Sequence, residues 1–243
     1  IQQVMSVQHD ILQLYKKDIA QYNERRKLYI QDIFDIIPSE LNAQNKRFIL
    51  KDVSQNIKFS RSENDFIWLS DAGVALPVYN VEAPCTPLIL NKQRNLFKLF
   101  QNDVGLLACQ YADGIQLDIL NGESTMNFGA IYENYVAQEL NANHHALYYY
   151  NSKKYGELDF LVEQANNILA IEVKSGKTYQ RHNALDKCLS CNEFHIDQAI
   201  VLCHDNLTVK GNITYMPIYM TMFIKKHQTT SPTIYKLDIS GLD

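Results

Sequence analysis

The stretch GELDFLVEQANNILAIEVKSG, residues 156–176, decides how this chain is read. Two apolar runs, Glu157 to Val162 and Leu169 to Lys174, flank a polar turn at residues 164–167, which predicts a β-hairpin. A turn centred between Ala165 and Asn166 sets Asp159 opposite Glu172, roughly 5 Å apart at Cβ. Strand alternation then puts Glu172 and Lys174 on the side of Asp159, with Ile171 and Val173 on the other. Two carboxylates so close repel one another unless a proton or a cation lies between them. A hard divalent ion such as Mg2+ or Mn2+ takes oxygen ligands and keeps several waters. Such an ion acidifies a bound water, and Lys174 is placed to orient that water or to stabilise charge. Asp159, Glu172 and Lys174 are therefore the candidate catalytic residues.

Working outward, Phe128 to Asn143 predicts a helix with Phe128, Ile131, Tyr132, Tyr135, Val136 and Leu140 on one broad face. Ala146 to Tyr150 predicts a strand before the hairpin. A helix at 179–188, a strand at 199–203 and a strand plus helix at 214–224 follow. This order predicts an α/β core. Upstream, helices are expected over 4–22 and 23–37, the second stopped by Pro38, with a short third helix after it. A strand at Phe48-Ile49-Leu50, a helix over Asn64–Ala72 closed by Gly73, and a strand over Val74–Val81 come next, with Pro77 suggesting an edge. Thr86–Leu90 and Phe97–Phe100 read as paired short strands, and Val104–Tyr111 as a helix. We expect a winged-helix-like segment over 1–112 and a second domain over 113–243. The boundary falls in the mixed stretch 112–125, which holds Gly114 and Gly122.

The 243 residues are 46% hydrophobic and 21% charged, as in an ordinary globular protein. No apolar run reaches the roughly 20 residues that a membrane helix needs. Five scattered cysteines do not suggest a disulfide framework, so a reducing cytoplasm is expected. The chain opens at Ile1 without a signal-peptide pattern and reads as a piece of a longer protein. The net charge of −4 argues against a basic coat for constitutive nucleic-acid binding. It is uneven: residues 1–100 hold 13 Lys+Arg against 11 Asp+Glu, and residues 101–243 hold 10 against 16. An acidic half still binds nucleic acid where carboxylates gather a divalent ion.

The Asp-x(12)-Glu-x-Lys pattern of Asp159, Glu172 and Lys174 on a hairpin resembles the PD-(D/E)XK, or restriction-endonuclease-like, nuclease superfamily. In GAIYE, residues 129–133, the chain resembles that superfamily's first-helix Gly-x-x-x-Glu, which implies Glu133 as a further metal ligand beside Asp159 and Glu172. Glu139 on the same helix is a supporting group at most. FKLF at 97–100, DVGLL at 103–107, GAIYENYVAQEL at 129–140, ELDFLVE at 157–163 and IEVKSG at 171–176 together resemble prokaryotic AAA-type ATPases with a C-terminal domain of unknown function. The resemblance runs from about Tyr15 to Lys177. It implies a winged-helix-like segment, then a restriction-endonuclease-like mixed sheet flanked by helices, behind an ATPase module. It also implies Mg2+ or Mn2+ as cofactor and nucleic acid, DNA first, as partner. The alternative is a catalytically inactive nuclease fold that binds DNA or protein and regulates the ATPase. An oligomer is left open, and no membrane partner is expected.

Other motifs read more plainly. Gly176-Lys177-Thr178 mimics the tail of a P-loop, but Ile171 stands where the first glycine belongs, so no ATP site is expected here. Cys188-x-x-Cys191, with His195 and Cys203-His204 nearby, is a weak zinc signal beside the default of small buried thiols. His144-His145 suits a helix C-terminus. Tyr148, Tyr149 and Tyr150 are expected in core and sheet surface, with base stacking as the sharper idea. Lys46, Arg47, Lys51, Lys58 and Arg61 are either a DNA-backbone contact or a solvated face, and Asp65 and Asp71 favour the second.

Overall fold

The computed structural model describes residues 1–22, 26–43, 46–48, 59–111, 115–121, 128–164 and 166–226, with side chains left aside over 59–63. Two long helices open the chain, α1 (Gln2–Tyr22) and α2 (Lys27–Asn42), followed by α3 (Phe59–Asp71). Then come β1 (Ala75–Val81), a 3-10 turn at Leu88–Asn91, β2 (Lys92–Gln101), α4 (Val104–Cys109) and α5 (Ile115–Asn121). The second half runs α6 (Gly129–Ala142), β3 (Tyr148–Ser152), β4 (Gly156–Gln164), β5 (Asn167–Val173) and α7 (Asn183–Leu189). It closes with β6 (Ile196–Cys203), β7 (Thr208–Lys210), β8 (Ile213–Pro217) and a 3-10 helix at Ile218–Phe223.

The eight strands among the described residues form one mixed sheet in the order β2-β1-β3-β4-β5-β6-β8-β7. The expected α/β class is present, as a mixed sheet flanked by helices. One face contributes Phe160, Val162, Leu169, Ile171 and Val173 to a core shared with the apolar stripes of α1, α2 and α6. The other receives Leu185 and Cys188 of α7, against Leu161, Ala170, Ala199 and Val201. β5 is buried along both faces, so it reads as a continuous apolar run.

The strands expected within the winged-helix-like segment, at 74–81 and 97–100, are part of this sheet. β1 pairs antiparallel with β2 and parallel with β3. The expected boundary at 112–113 falls between α4 and α5, and the sheet joins strands from both sides of it. Pro77 faces Leu99 of β2, and pairing with β3 begins only at Tyr79. The proline thus sits where β1 has a neighbour on one side alone, as its missing N–H requires.

Several local expectations are corrected. Pro38 does not stop the second helix: α2 runs through it to Asn42, because Pro38 is buried with Ile30, Ile33, Phe34, Ile37 and Leu41. Packing of that stripe outweighs the lost hydrogen bond, and the Asn42 side chain donates to the Pro38 carbonyl at 2.9 Å. The segment after Thr86 is a 3-10 turn rather than a strand. Of the expected strand at 48–50, only Phe48 is described; its N–H donates to the Phe97 carbonyl at 2.8 Å and its ring stacks on Phe97. The last described element, Ile218–Phe223, is 3-10, and β7 answers to no sequence expectation. No helix among the described residues is long and apolar enough to cross a membrane.

Candidate functional site

The β4–β5 hairpin has the register expected of it. Gln164 pairs with Asn167 and Phe160 with Ile171, so the next position along each strand sets Asp159 against Glu172. The other edge of β4 is less regular. Tyr148 of β3 pairs with Leu161 and Tyr150 with Leu158, so Asp159 and Phe160 together oppose the single residue Tyr149. This is a β-bulge, which bends a strand and re-aims a side chain. Asp159 Oδ2 accepts a hydrogen bond from the Val173 N–H at 2.8 Å, standing in for a main-chain carbonyl where the two strands part. Ile171 and Val173 face the core beneath α6, as expected. Glu172 lies between them in alternation, and its charge is felt by Cys188 of α7.

Glu133 comes in from the first turns of α6, only 4% exposed. That helix is fixed to the sheet by its neighbour. Asn134 is fully buried, accepts from the Gln101 N–H at 2.8 Å and donates to the Gln101 carbonyl at 3.0 Å. The four expected residues share one electrostatic neighbourhood: Glu133 and Glu172 each feel the charge of Asp159, and Lys174 Nζ lies 2.5 Å from Glu172 Oε1. Lys174 follows β5 directly, and its N–H donates to the Leu202 carbonyl at 2.8 Å.

Electrostatics separate the members. Burial, then Asp159, pushes the Glu172 carboxyl up to about 8, against the opposing pull of Lys174. Burial and Asp159 also raise Glu133, against Lys98 and Lys46. Burial disfavours the Lys174 ammonium, but Glu172 with Asp159 and Glu133 outweighs it and the pKa rises.

Three residues of this cluster were not singled out as ligands or catalysts. Lys98 of β2 is 1% exposed, 2.6 Å from Glu157 Oε1, 3.8 Å from Glu133 Oε2, and over the Tyr149 ring at 5.0 Å. Burial works against its ammonium, and Glu133, Glu157 and Asp159 outweigh that and raise its pKa. Glu157, at the head of β4, also accepts from the Asn151 side chain at 2.5 Å. Lys46 is ion-paired with Glu133 Oε1. The available signal was Lys98 itself, a lysine centred in LFKLF, which no half-exposed strand explains.

Among the described residues no three of His, Cys, Asp and Glu are gathered as a ready ligand group. Glu133 is turned toward Lys46 and Glu172 toward Lys174. The donor chemistry nevertheless fits a hard cation. Glu133 Oε2 and Glu172 Oε2 are buried without a hydrogen-bond partner. Magnesium keeps most of its waters and needs only one or two carboxylates, so Asp159 and Glu172 would be enough to hold it.

The remaining candidates resolve as structure. Glu139 is half-buried and its charge acts on the Tyr135 hydroxyl. Tyr148, Tyr149 and Tyr150 are all buried, which leaves no ring face for a base. His144 takes φ 62° after α6, a helix-ending conformation, and buried His145 contacts the Ile224 carbonyl at 3.0 Å through Nε2. Cys188 is buried in α7, and Cys85 lies against the same loop as Cys191, donating to the Glu193 carbonyl at 3.2 Å. Asp65 is ion-paired with Arg26 at 2.5 Å. Lys51 and Lys58, and the Arg61 side chain, lie outside what is described.

Two family models match the chain. One, described as Domain of unknown function (DUF4143), matches residues 128–221; the other, Domain of unknown function (DUF8612), matches residues 1–117. Each half thus carries a match to a domain of unknown function. No curated protein and no solved structure matches it.

Proposed function

We propose that this chain carries a divalent-metal, restriction-endonuclease-like site that acts on DNA, as the C-terminal region of an AAA-type ATPase. The observation that carries the reading is the pair of buried, unpartnered carboxylate oxygens, Glu133 Oε2 and Glu172 Oε2, whose groups both feel Asp159. Leaving such acceptors unpaired costs about 1–3 kcal/mol each, a cost that a bound cation removes. Asp159, Glu172 and Glu133 would hold Mg2+ or Mn2+. When bound, the ion supplies Lewis acidity toward a phosphodiester oxygen. Lys174, 28% exposed at its side chain, holds a positive charge at the mouth of the site, where a phosphate would approach. Asp159 ties β4 to the end of β5 through the Val173 N–H, which fixes its carboxylate beside Glu172. The match over 128–221 falls on the part of the chain that resembles the end of those ATPases, and supports this placement. Five free thiols agree with a reducing, cytoplasmic setting.

A second reading has its own observation. Glu133 is already satisfied on one side by Lys46 and approached by Lys98 on the other, as in a charge-compensated, inactive fold that binds DNA or protein and regulates the ATPase. Calorimetric titration of Mn2+ and Mg2+ into the protein and its Asp159→Ala variant separates the two. Binding that vanishes in the variant, followed by Mn2+-dependent cleavage of duplex or single-stranded DNA, is the expected result. A folded protein that takes up neither ion refutes the metal-site reading and leaves the regulatory one.

A further inference from the structure

The acidic cluster holds a cation of its own that cannot leave. Lys46 and Lys174 keep side-chain exposures of 19% and 28%, so both can swing outward to a phosphate. Lys98 cannot. It is 1% exposed, sits over the Tyr149 ring, and is flanked along β2 by buried Phe97, Leu99 and Phe100. Its ammonium lies 2.6 Å from Glu157 and 3.8 Å from Glu133, whereas Glu172 is paired with Lys174.

We propose that Lys98 is a built-in counter-cation that fills the Glu133–Glu157 side of the cluster, so that the site takes up one divalent ion rather than two. This rests on the metal-site reading above. With the two outer lysines turned away, Glu133, Glu157, Asp159 and Glu172 carry four formal negative charges and Lys98 one positive. One divalent ion brings that sum from −3 to −1, and a second would drive it to +1 around groups of which Glu133, Glu172 and Lys98 are buried. Lys98 is thus a positioning residue. It touches no substrate, and it holds Glu133 and Glu157 in place as a second metal ion does in a two-metal site.

Mn2+ is the probe, with stoichiometry read by calorimetry and spin coupling by electron paramagnetic resonance. The protein should bind one Mn2+ with an uncoupled spectrum. Lys98→Ala, which opens both charge and space, should bind two, close enough to couple. Lys98→Gln keeps the volume and loses only the charge, so it should bind a single Mn2+ at least tenfold more tightly. It serves where Lys98→Ala does not fold, as judged by circular dichroism. Two ions in the unaltered protein overturn the inference while leaving the metal site standing. So does a folded Lys98→Gln whose affinity stays within threefold. No uptake by the unaltered protein removes the metal site and this inference with it.

Discussion

Replacing Glu172 by glutamine should make the metal-free protein more stable, by an amount that depends on pH. Glu172 is 6% exposed, one of its oxygens has no hydrogen-bond partner, and its carboxyl is held at about 8 against an ordinary 4.5. Between those values the folded chain holds a proton that the unfolded chain has released, so stability falls as pH rises from 4.5 to about 8. At about 1.4 kcal/mol for each pH unit, the folded state has lost roughly 5 kcal/mol above pH 8. Glutamine keeps the shape and avoids the charge, and the attraction of Lys174 for the carboxylate is already contained in that raised pKa. The gain above pH 8 is therefore about 5 kcal/mol. For a chain of this length such a gain raises Tm by roughly 10–20 °C. Thermal melts in EDTA at pH 9 should show this difference, and melts at pH 5 should show almost none, since both side chains are then neutral. Buried His145, its pKa lowered by desolvation, destabilises both proteins alike on acidification and cancels in the comparison. A Glu172→Gln protein less stable than its parent at pH 9 would refute the argument.

Other expectations follow from the same contacts. Asn134→Ala strands the N–H and carbonyl of Gln101 in the core, so it should cost about 3 kcal/mol and lower Tm by roughly 6–12 °C. Phe160→Ala removes a fully buried ring 5.7 Å from Phe100 and should cost about 3–5 kcal/mol in denaturant titrations. Below about pH 8 an incoming ion must displace the Glu172 proton, so Mn2+ affinity should rise about tenfold per pH unit from pH 6 to 7.5. A flat profile would remove Glu172 from the ligand set.

The hairpin was legible because its information is local. A short polar turn and two apolar runs fix the register that brings Asp159 to Glu172, and the GAIYE segment falls on α6 with Glu133 facing inward. What was not legible is set by distant neighbours. The bulge at Asp159 and Phe160 exists only relative to β3, and no pattern within β4 announces it. Lys98 enters the site because β1 pairs in parallel with β3, about 70 residues away, and carries β2 with it. Pro38 misled for the opposite reason: a local rule was overridden by the packing of a whole helix face.

One strand pairing gives the chain a mechanical property. The hydrogen bonds between Tyr79–Val81 and Tyr148–Tyr150 tie the segment that carries Lys98 to the strands that carry the carboxylates. The Asn134–Gln101 clasp ties the same segment to the helix that carries Glu133. Any shift of β2 against β3 and α6 would therefore displace a single positive charge, that of Lys98, within the acidic cluster.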